Sequence, residues 1–234
     1  MKLSVIIPAY NEEQTIKEII RRVQAVKIDK EIIVVDDGSI DGTTEILKQL
    51  RESNSEIKVH FCPKNRGKGA AIKAGLSYVT GNIVLIQDAD LELNPEEYHN
   101  LIKPIVKGEA KVIYGSRFRK KIDGLSLYTY LGNKIVTLAT NLLYRIKLTD
   151  QATGYKVFAT DVIKSISLEC DGFEFCSEVT AKARRLGYDI AEVPISYFPR
   201  ARQAGKKVRW QDGFKALYTL LKYRFARIKS IKAN

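Results

Sequence analysis

The sequence predicts an α/β protein, three-layer α/β/α, built around a mainly parallel central sheet. Short, β-branched apolar runs alternate with amphipathic stretches through the first half of the chain. The runs are apolar at consecutive positions, as in strands covered by helices on both faces. Acidic residues recur just after the runs, where open parallel sheets place their ligands.

The runs are residues 3–8 (LSVIIP), 31–36 (EIIVVD), 58–61 (KVHF), 82–87 (NIVLIQ) and 111–114 (KVIY). Helical patterns lie near 13–26, 43–53, 67–79 and 95–107. Asn11, with Gln14 three residues on, reads as a capping box for the first helix. Asn94-Pro95-Glu96-Glu97 supplies a cap, a proline at the first helical position and acids in the first turn. Pro104 is expected to end or kink that helix. In the second half, residues 127–146 form an apolar helix whose run Asn133 and Lys134 break. A loop with DQATGYK (150–156), a helix near 173–186 and a strand over 189–198 follow, closed by Pro199. The last helix begins near Trp210, with Phe214, Leu217, Leu221, Phe225 and Ile228 at helical spacing, a face expected to pack on the core. No repeat or low-complexity linker divides the chain. The expected organisation is one domain over 1–209, then a basic amphipathic helix over 210–234 that is a candidate for membrane-surface contact.

A chain of 234 residues, 45% hydrophobic, buries a core without disulfide staples. Cys62, Cys170 and Cys176 lack metal-site spacing and read as reduced thiols of a cytosolic protein. The opening apolar run is too short for a signal peptide, and no run reaches the ~20 residues of a membrane span. A cytoplasmic protein, soluble or peripheral at the cytoplasmic face of the membrane, is therefore expected. The net charge is +12, and from Arg200 onward eleven basic residues face one acid, Asp212. Such a basic end calls for an anionic partner: nucleic acid, phosphorylated substrate or anionic lipid. The basic–aromatic interleaving of single-strand binders is missing, so a nucleic-acid-binding protein is the non-enzyme alternative and no nucleic-acid partner is expected. His60 and His99 lie far apart, which argues against a histidine triad.

The loop after the first run, Pro8-Ala9-Tyr10-Asn11-Glu12, has no GxGxxG, and Gly67-Lys68-Gly69 lacks the remainder of a P-loop. Any nucleotide is bound without either phosphate cradle. Three carboxylate sites remain: Glu12 after the first run, Asp36-Asp37 after the second and Asp88-Ala89-Asp90 after the fourth. Alternation along an extended segment would send Asp88 and Asp90 to the same side. There they would share a hard divalent ion, Mg²⁺ or Mn²⁺, with a diphosphate and neutralise charge on a departing nucleoside diphosphate.

With IIPAYNEE (6–13), IIVVDDGSIDGT (32–43), NRGKGAAI (65–72), DADLE (88–92), GSRF (115–118) and LTDQATGYKVF (148–158), the chain resembles glycosyltransferase family 2, on the GT-A fold. It is most similar there to the dolichyl-phosphate mannosyltransferase and polyprenyl-phosphate glycosyltransferase group. The resemblance implies a nucleotide-sugar site in which Pro8, Tyr10, Glu12 and Asp37 contact base and ribose. Arg66, Gly67 and Lys68 would close around the nucleotide. Asp88 and Asp90 would hold the metal, with Glu92 as a third ligand.

A phosphate monoester as acceptor is already ionised near neutrality and needs positioning and charge compensation rather than a base. Arg117, Arg200 and Arg202 are the candidate phosphate ligands, because guanidinium matches phosphate oxygens with paired donors. Some mannosyltransferase relatives carry arginines early in the long helix; here Tyr130-Leu131-Gly132-Asn133-Lys134 leaves Lys134 as the nearby charge. The expected activity is inverting, metal-dependent transfer of a hexose, of mannose or glucose type, from a GDP- or UDP-sugar to polyprenyl or dolichyl phosphate. Asp90, Arg117 and Arg200 would act at the reacting centre. A separate membrane subunit is compatible with this reading. The alternative is a family 2 enzyme with a carbohydrate hydroxyl acceptor, for which Glu174 or Asp171 would be the base.

Overall fold

The computed structural model describes residues 1–54, 56–120, 127–199 and 210–228. Strands β1 (Leu3–Ala9), β2 (Lys30–Asp36), β3 (Ile57–Phe61), β4 (Ile83–Ile86), β5 (Val112–Ser116), β6 (Lys156–Ala159) and β7 (Ile190–Pro194) form one sheet. Their order is β3-β2-β1-β4-β6-β5-β7. β1 pairs in parallel with β2 from Leu3↔Lys30 to Ala9↔Asp36, and with β4 from Leu3↔Ile83 to Ile6↔Ile86. Because β2 and β3 lie on one side of β1 and β4 on the other, the strand order reverses beside β1. That reversal opens a crevice at the carboxyl ends of β1 and β4.

The continuous apolar runs are continuous because both faces are covered. Val5, Ile6, Ile7, Ile32, Ile33, Val34, Val35 and Ile83 to Ile86 are all buried. Each such side chain stabilises the fold by roughly 1.5–3 kcal/mol. Helix α3 (Lys68–Leu76) packs on β1 and β2, and α4 (Tyr98–Val106) on β5 and β6.

Asn94 caps as expected, its side chain accepting from the Glu96 N–H at 3.2 Å before the 3-10 turn Pro95–Glu97. Asn11 does not cap α1 (Ile16–Ala25): it sits at φ 50° and its side-chain oxygen accepts from the Ile40 N–H at 2.9 Å. The left-handed turn at Asn11 thus ties the loop after β1 to the loop before α2 (Thr43–Ser53). Pro104 lies inside α4 rather than at its end; the helix runs to Val106 and the chain turns at Gly108, φ 72°.

The second half adds β6, antiparallel to both neighbours, with Lys156 opposite Ile86 on β4 and Tyr114 on β5. It also adds α5 (Leu127–Tyr144), α6 (Thr160–Ser165), α7 (Phe175–Arg185) and α8 (Trp210–Phe225). Asn133 and Lys134 interrupt the apolar run but not α5, which is 18 residues long. α5, α7 and α8 pack together around Val136, Tyr144, Ala181, Leu220 and Tyr223.

The expected core face of α8 is docked only in part: Leu217 packs against that cluster, but most of the face turns outward. Phe214, Leu221 and Phe225 are 67%, 50% and 81% exposed, while Thr219, Leu220 and Tyr223 are buried. The docked face is chosen by polar-ended contacts as much as by apolar area. The Tyr144 hydroxyl donates to the Leu220 carbonyl at 2.6 Å, and the Tyr223 hydroxyl to Glu169 Oε2 at 3.0 Å. Among the described residues no helix is long and apolar enough to cross a membrane. The three cysteines are free thiols.

Candidate active site

The carboxylates converge at the crevice, but they are not equivalent. Asp36, at the end of β2, is structural: it accepts from the Ser39 N–H at 3.0 Å and the Thr44 hydroxyl at 2.5 Å. Asp37 holds the loop before α3, accepting from the N–H groups of Arg66 (3.1 Å) and Gly67 (2.6 Å). Burial pushes the Asp37 carboxyl above its ordinary value, and those two N–H donors oppose the shift. Gly67 has φ 109°, and a Cβ there would lie 2.6 Å from the Asp171 carbonyl oxygen, so only glycine fits. Glu12 is buried beside them, its N–H donating to Thr43 Oγ1 at 2.8 Å and its Oε2 accepting from Thr15 at 2.7 Å. Pro8, in β1, and Tyr10, in the turn after it, are half-buried at the same edge.

Lys68, the first residue of α3, donates from Nζ to Asp88 Oδ1. Burial disfavours its charge, and the Asp88 carboxylate outweighs that and raises its pKa. The crevice therefore already places a cation against Asp88. Arg66 instead reaches Asp171 at 3.0 Å, which Lys73 also engages at 2.5 Å. Lys73 and then Arg66 hold the Asp171 carboxyl below the usual range, an ill-suited state for a general base. Glu174 is turned back onto the Gly172 N–H at 3.1 Å.

Asp88 and Asp90 do not lie on an extended strand, so alternation does not set their side chains. β4 stops at Ile86 and the chain turns through Ala89 and Asp90 to Leu91, which adopts φ 61°. The turn brings the Asp90 carboxylate onto the Glu92 N–H at 3.1 Å, while Glu92 Oε2 accepts from the Tyr197 hydroxyl at 2.8 Å. Among the described residues no three His, Cys, Asp or Glu side chains form a ready-made metal cluster. Two carboxylates on one turn nevertheless suit a hard cation that takes one or two protein oxygens and completes its shell with phosphate and water.

The support beneath this turn is not legible in the sequence. Gln87 is fully buried; its Oε1 accepts from the hydroxyls of Tyr98 (2.7 Å) and Tyr155 (2.8 Å), and its Nε2 donates to the Asp88 carbonyl at 2.9 Å. Gly154 lies directly against Asp88, where a Cβ would come within 2.3 Å of Oδ2.

The cationic side of the crevice centres on Arg117. Its Nε donates to Asp150 Oδ2 at 2.7 Å and its Nη2 to Oδ1 at 2.8 Å, while the guanidinium lies 5.0 Å from the Tyr197 ring. Burial disfavours the charge, but Asp150 overcomes it and raises the pKa. Asp150 is itself set by Glu192 on β7, whose Oε1 accepts from its N–H at 3.0 Å. Next to Arg117, Phe118 and Tyr130 meet edge-on at 5.4 Å, and the Lys134 ammonium sits 4.7 Å from the Phe118 ring. Arg200 and Arg202 lie outside the described residues.

One loop joins the two sides. Asp150 fixes Arg117 at one end, Gly154 abuts Asp88 at the other, and the buried Lys156 ammonium pins the middle through the carbonyls of Gln151 (2.9 Å) and Thr153 (2.7 Å). Asp150 and Gly154 share one short motif, and that clustering was the available signal for them.

A mainly parallel sheet with a switch-point crevice and acidic residues on a turn at its mouth is the architecture of the GT-A fold. The family model for glycosyl transferase family 2 matches residues 4–167. A UDP-N-acetylglucosamine–dolichyl-phosphate N-acetylglucosaminyltransferase of Methanococcus voltae is 31% identical, covering 96% of both chains. A dolichol-phosphate mannosyltransferase of Pyrococcus furiosus is 31% identical over 88% of this chain, which spans 59% of that protein's length. In fold, the chain is similar to glucosyl-3-phosphoglycerate synthase of Mycobacterium tuberculosis in complex with UDP: TM-score 0.73, 24% identity, 95% of this chain and 80% of that one. The chain belongs to glycosyltransferase family 2, and it is a glycosyltransferase.

Proposed function

We propose that the enzyme transfers a hexose, of mannose or glucose type, from a nucleoside diphosphate sugar to a polyprenyl phosphate, with inversion. The division of the crevice carries the reading: paired carboxylates and the Asp37-held loop on one side, Arg117, Lys134 and two aromatic rings on the other. Two relatives of 31% identity, one matched over 96% of its length, bear names that include dolichyl or dolichol phosphate.

Pro8, Tyr10, Glu12 and Asp37 bind base and ribose, and Arg66, Gly67 and Lys68 close over the diphosphate. Asp88 and Asp90 would hold Mg²⁺ or Mn²⁺, which when bound neutralises charge on the diphosphate; Glu92 contributes through its place on the same turn. Arg117 and Lys134 orient the acceptor phosphate, with Arg200 and Arg202 as further ligands. A phosphate oxygen attacks the anomeric carbon as the bond to the nucleoside diphosphate breaks on the opposite face. That displacement forms one C–O bond, breaks one and inverts the centre. No proton need be removed, because the acceptor is already an anion. The alternative, a carbohydrate hydroxyl acceptor, requires a base, and Asp171 is committed to Lys73 and Arg66.

The test is a panel of GDP-mannose, UDP-glucose and UDP-N-acetylglucosamine with Mn²⁺ or Mg²⁺ and a polyprenyl phosphate, read by mass spectrometry. A glycosyl-phosphoryl-polyprenol is expected. Glycosylation of an oligosaccharide with the lipid phosphate left untouched contradicts the proposal.

A further inference from the structure

At the far end of α5 from Lys134, a cavity of about 360 Å³ is lined by Leu143, Tyr144, Arg145, Arg184, Arg185 and Arg224. Its four arginines come from the carboxyl ends of α5, α7 and α8. Basic residues are ordinary near helix carboxyl termini, and two of these four are partly used that way. Arg185 donates to the carbonyls of Tyr223, at 2.8 Å, and Ala226. Arg184 pairs with Asp189 and donates to the Tyr188 carbonyl at 3.0 Å, yet its buried Nε has no partner. Arg145 and Arg224 are exposed, and among the described residues neither forms an ion pair. Both Arg185 and Arg224 lower the Tyr144 pKa against the upward push of burial, which places their charges around the cavity wall.

The cavity ends an apolar stripe. Leu127, Leu131, Ile135, Leu138 and Leu142 are all at least 49% exposed and follow one another at helical spacing along α5. Arg145, at φ 52° just past the end of α5, lines the cavity beyond Leu142. Tyr218, Leu221 and Phe225 form a second exposed stripe on α8, beside Arg224. An 18-residue helix spans about 27 Å. The α5 stripe therefore runs from the Phe118–Tyr130–Lys134 cluster to the arginine cavity.

We propose that the cavity binds the phosphate of an anionic membrane phospholipid while the two stripes lie in the headgroup–acyl boundary of the bilayer. Guanidinium forks match phosphate oxygens, and an amphipathic helix with basic flanks beds its apolar face at that depth. The flanking apolar surface selects a lipid over a soluble phosphate ester. Charge complementarity selects it over a second copy of this chain, since each copy carries +12. This phosphate is distinct from the acceptor phosphate at Lys134. The proposal does not rest on the acceptor reading.

The experiment is flotation of the full chain with phosphatidylcholine vesicles, with and without phosphatidylglycerol, and without polyprenyl phosphate or donor. Failure of sugar transfer thus leaves its outcome intact. The test variant is Arg145→Asn/Arg224→Gln; asparagine tolerates the left-handed φ of 52° at position 145. The control, Lys17→Gln/Lys27→Gln on and just after α1, removes the same charge elsewhere. Wild type is expected to bind the anionic vesicles. The arginine variant should lose roughly ten- to thirtyfold in affinity, as for two basic side chains leaving an anionic surface. The control should bind like wild type. Equal loss in the control, undiminished binding by the arginine variant, or tight calorimetric binding of glycerol phosphate without vesicle binding overturns the proposal.

Discussion

The Arg117 guanidinium lies against the Asp150 carboxylate through two parallel hydrogen bonds of 2.7 and 2.8 Å, and the pair is buried. A buried pair of this kind is costly to break, because the surviving charge is left without compensation. Asp150→Asn is therefore expected to destabilise the protein by about 3–5 kcal/mol in urea unfolding. Arg117→Lys keeps the charge and loses the fork, so it should unfold at lower urea and lose transfer rate while still binding nucleotide.

Gly154 and Asp88 leave no room for a methyl group between them. Gly154→Ala should push the Asp88 carboxylate off its position. Misplacement on that scale costs on the order of 100-fold in rate. Mn²⁺ titration should show a raised metal requirement, with thermal stability changed far less than activity. Unchanged metal dependence would separate Asp88 from the metal.

Among the described residues, Gln87 Oε1 is the acceptor for the buried hydroxyls of both Tyr98 and Tyr155. Gln87→Met strands both. The expected loss is roughly 2–6 kcal/mol, at 1–3 kcal/mol for each buried group left unsatisfied. Tyr98→Phe combined with Gln87→Met should recover part of it, which a double-mutant cycle would measure.

Glu31 gathers Lys58, Ser4 and Thr80 at the opposite edge of the sheet, with Lys58 at 2.8 Å. Burial pushes its carboxyl up, but Lys58, Ser4 and Thr80 together hold it well below the ordinary 4.5. A depressed carboxylate stabilises the fold fully above its unfolded pKa, and that contribution fades as pH falls through the folded value. Stability should thus begin to fall below about pH 4.5, and Glu31→Gln should flatten this acid limb in unfolding at stepped pH. An identical acid limb in the variant removes Glu31 from the account.

Much of the fold was legible because β1, β2 and β4 carry unbroken apolar runs, Val5–Ile7, Ile32–Val35 and Ile83–Ile86, a pattern that doubly covered strands require. β6 was not: it has four residues, KVFA, and owes its place to antiparallel pairing with distant strands. The outward face of α8 was misread because Tyr144 and Glu169, which anchor its other side, are remote in sequence. At the crevice, the acidic residues announced themselves by following strands. Their geometry did not, since a left-handed Leu91 and a buried Gln87 shape the turn. Arg117 was legible as a basic residue, but its commitment to Asp150 was not.

The central claim is that donor and acceptor phosphates are held by different cations, Lys68 and Lys134. Steady-state kinetics of Lys68→Ala and Lys134→Ala, varying donor and polyprenyl phosphate separately, tests it most directly. Lys68→Ala should raise the KM for donor, and Lys134→Ala the KM for acceptor, each by roughly ten- to a hundredfold, the worth of one charge-assisted hydrogen bond. If Lys134→Ala leaves the acceptor KM unchanged, or moves the donor KM instead, the divided site is wrong.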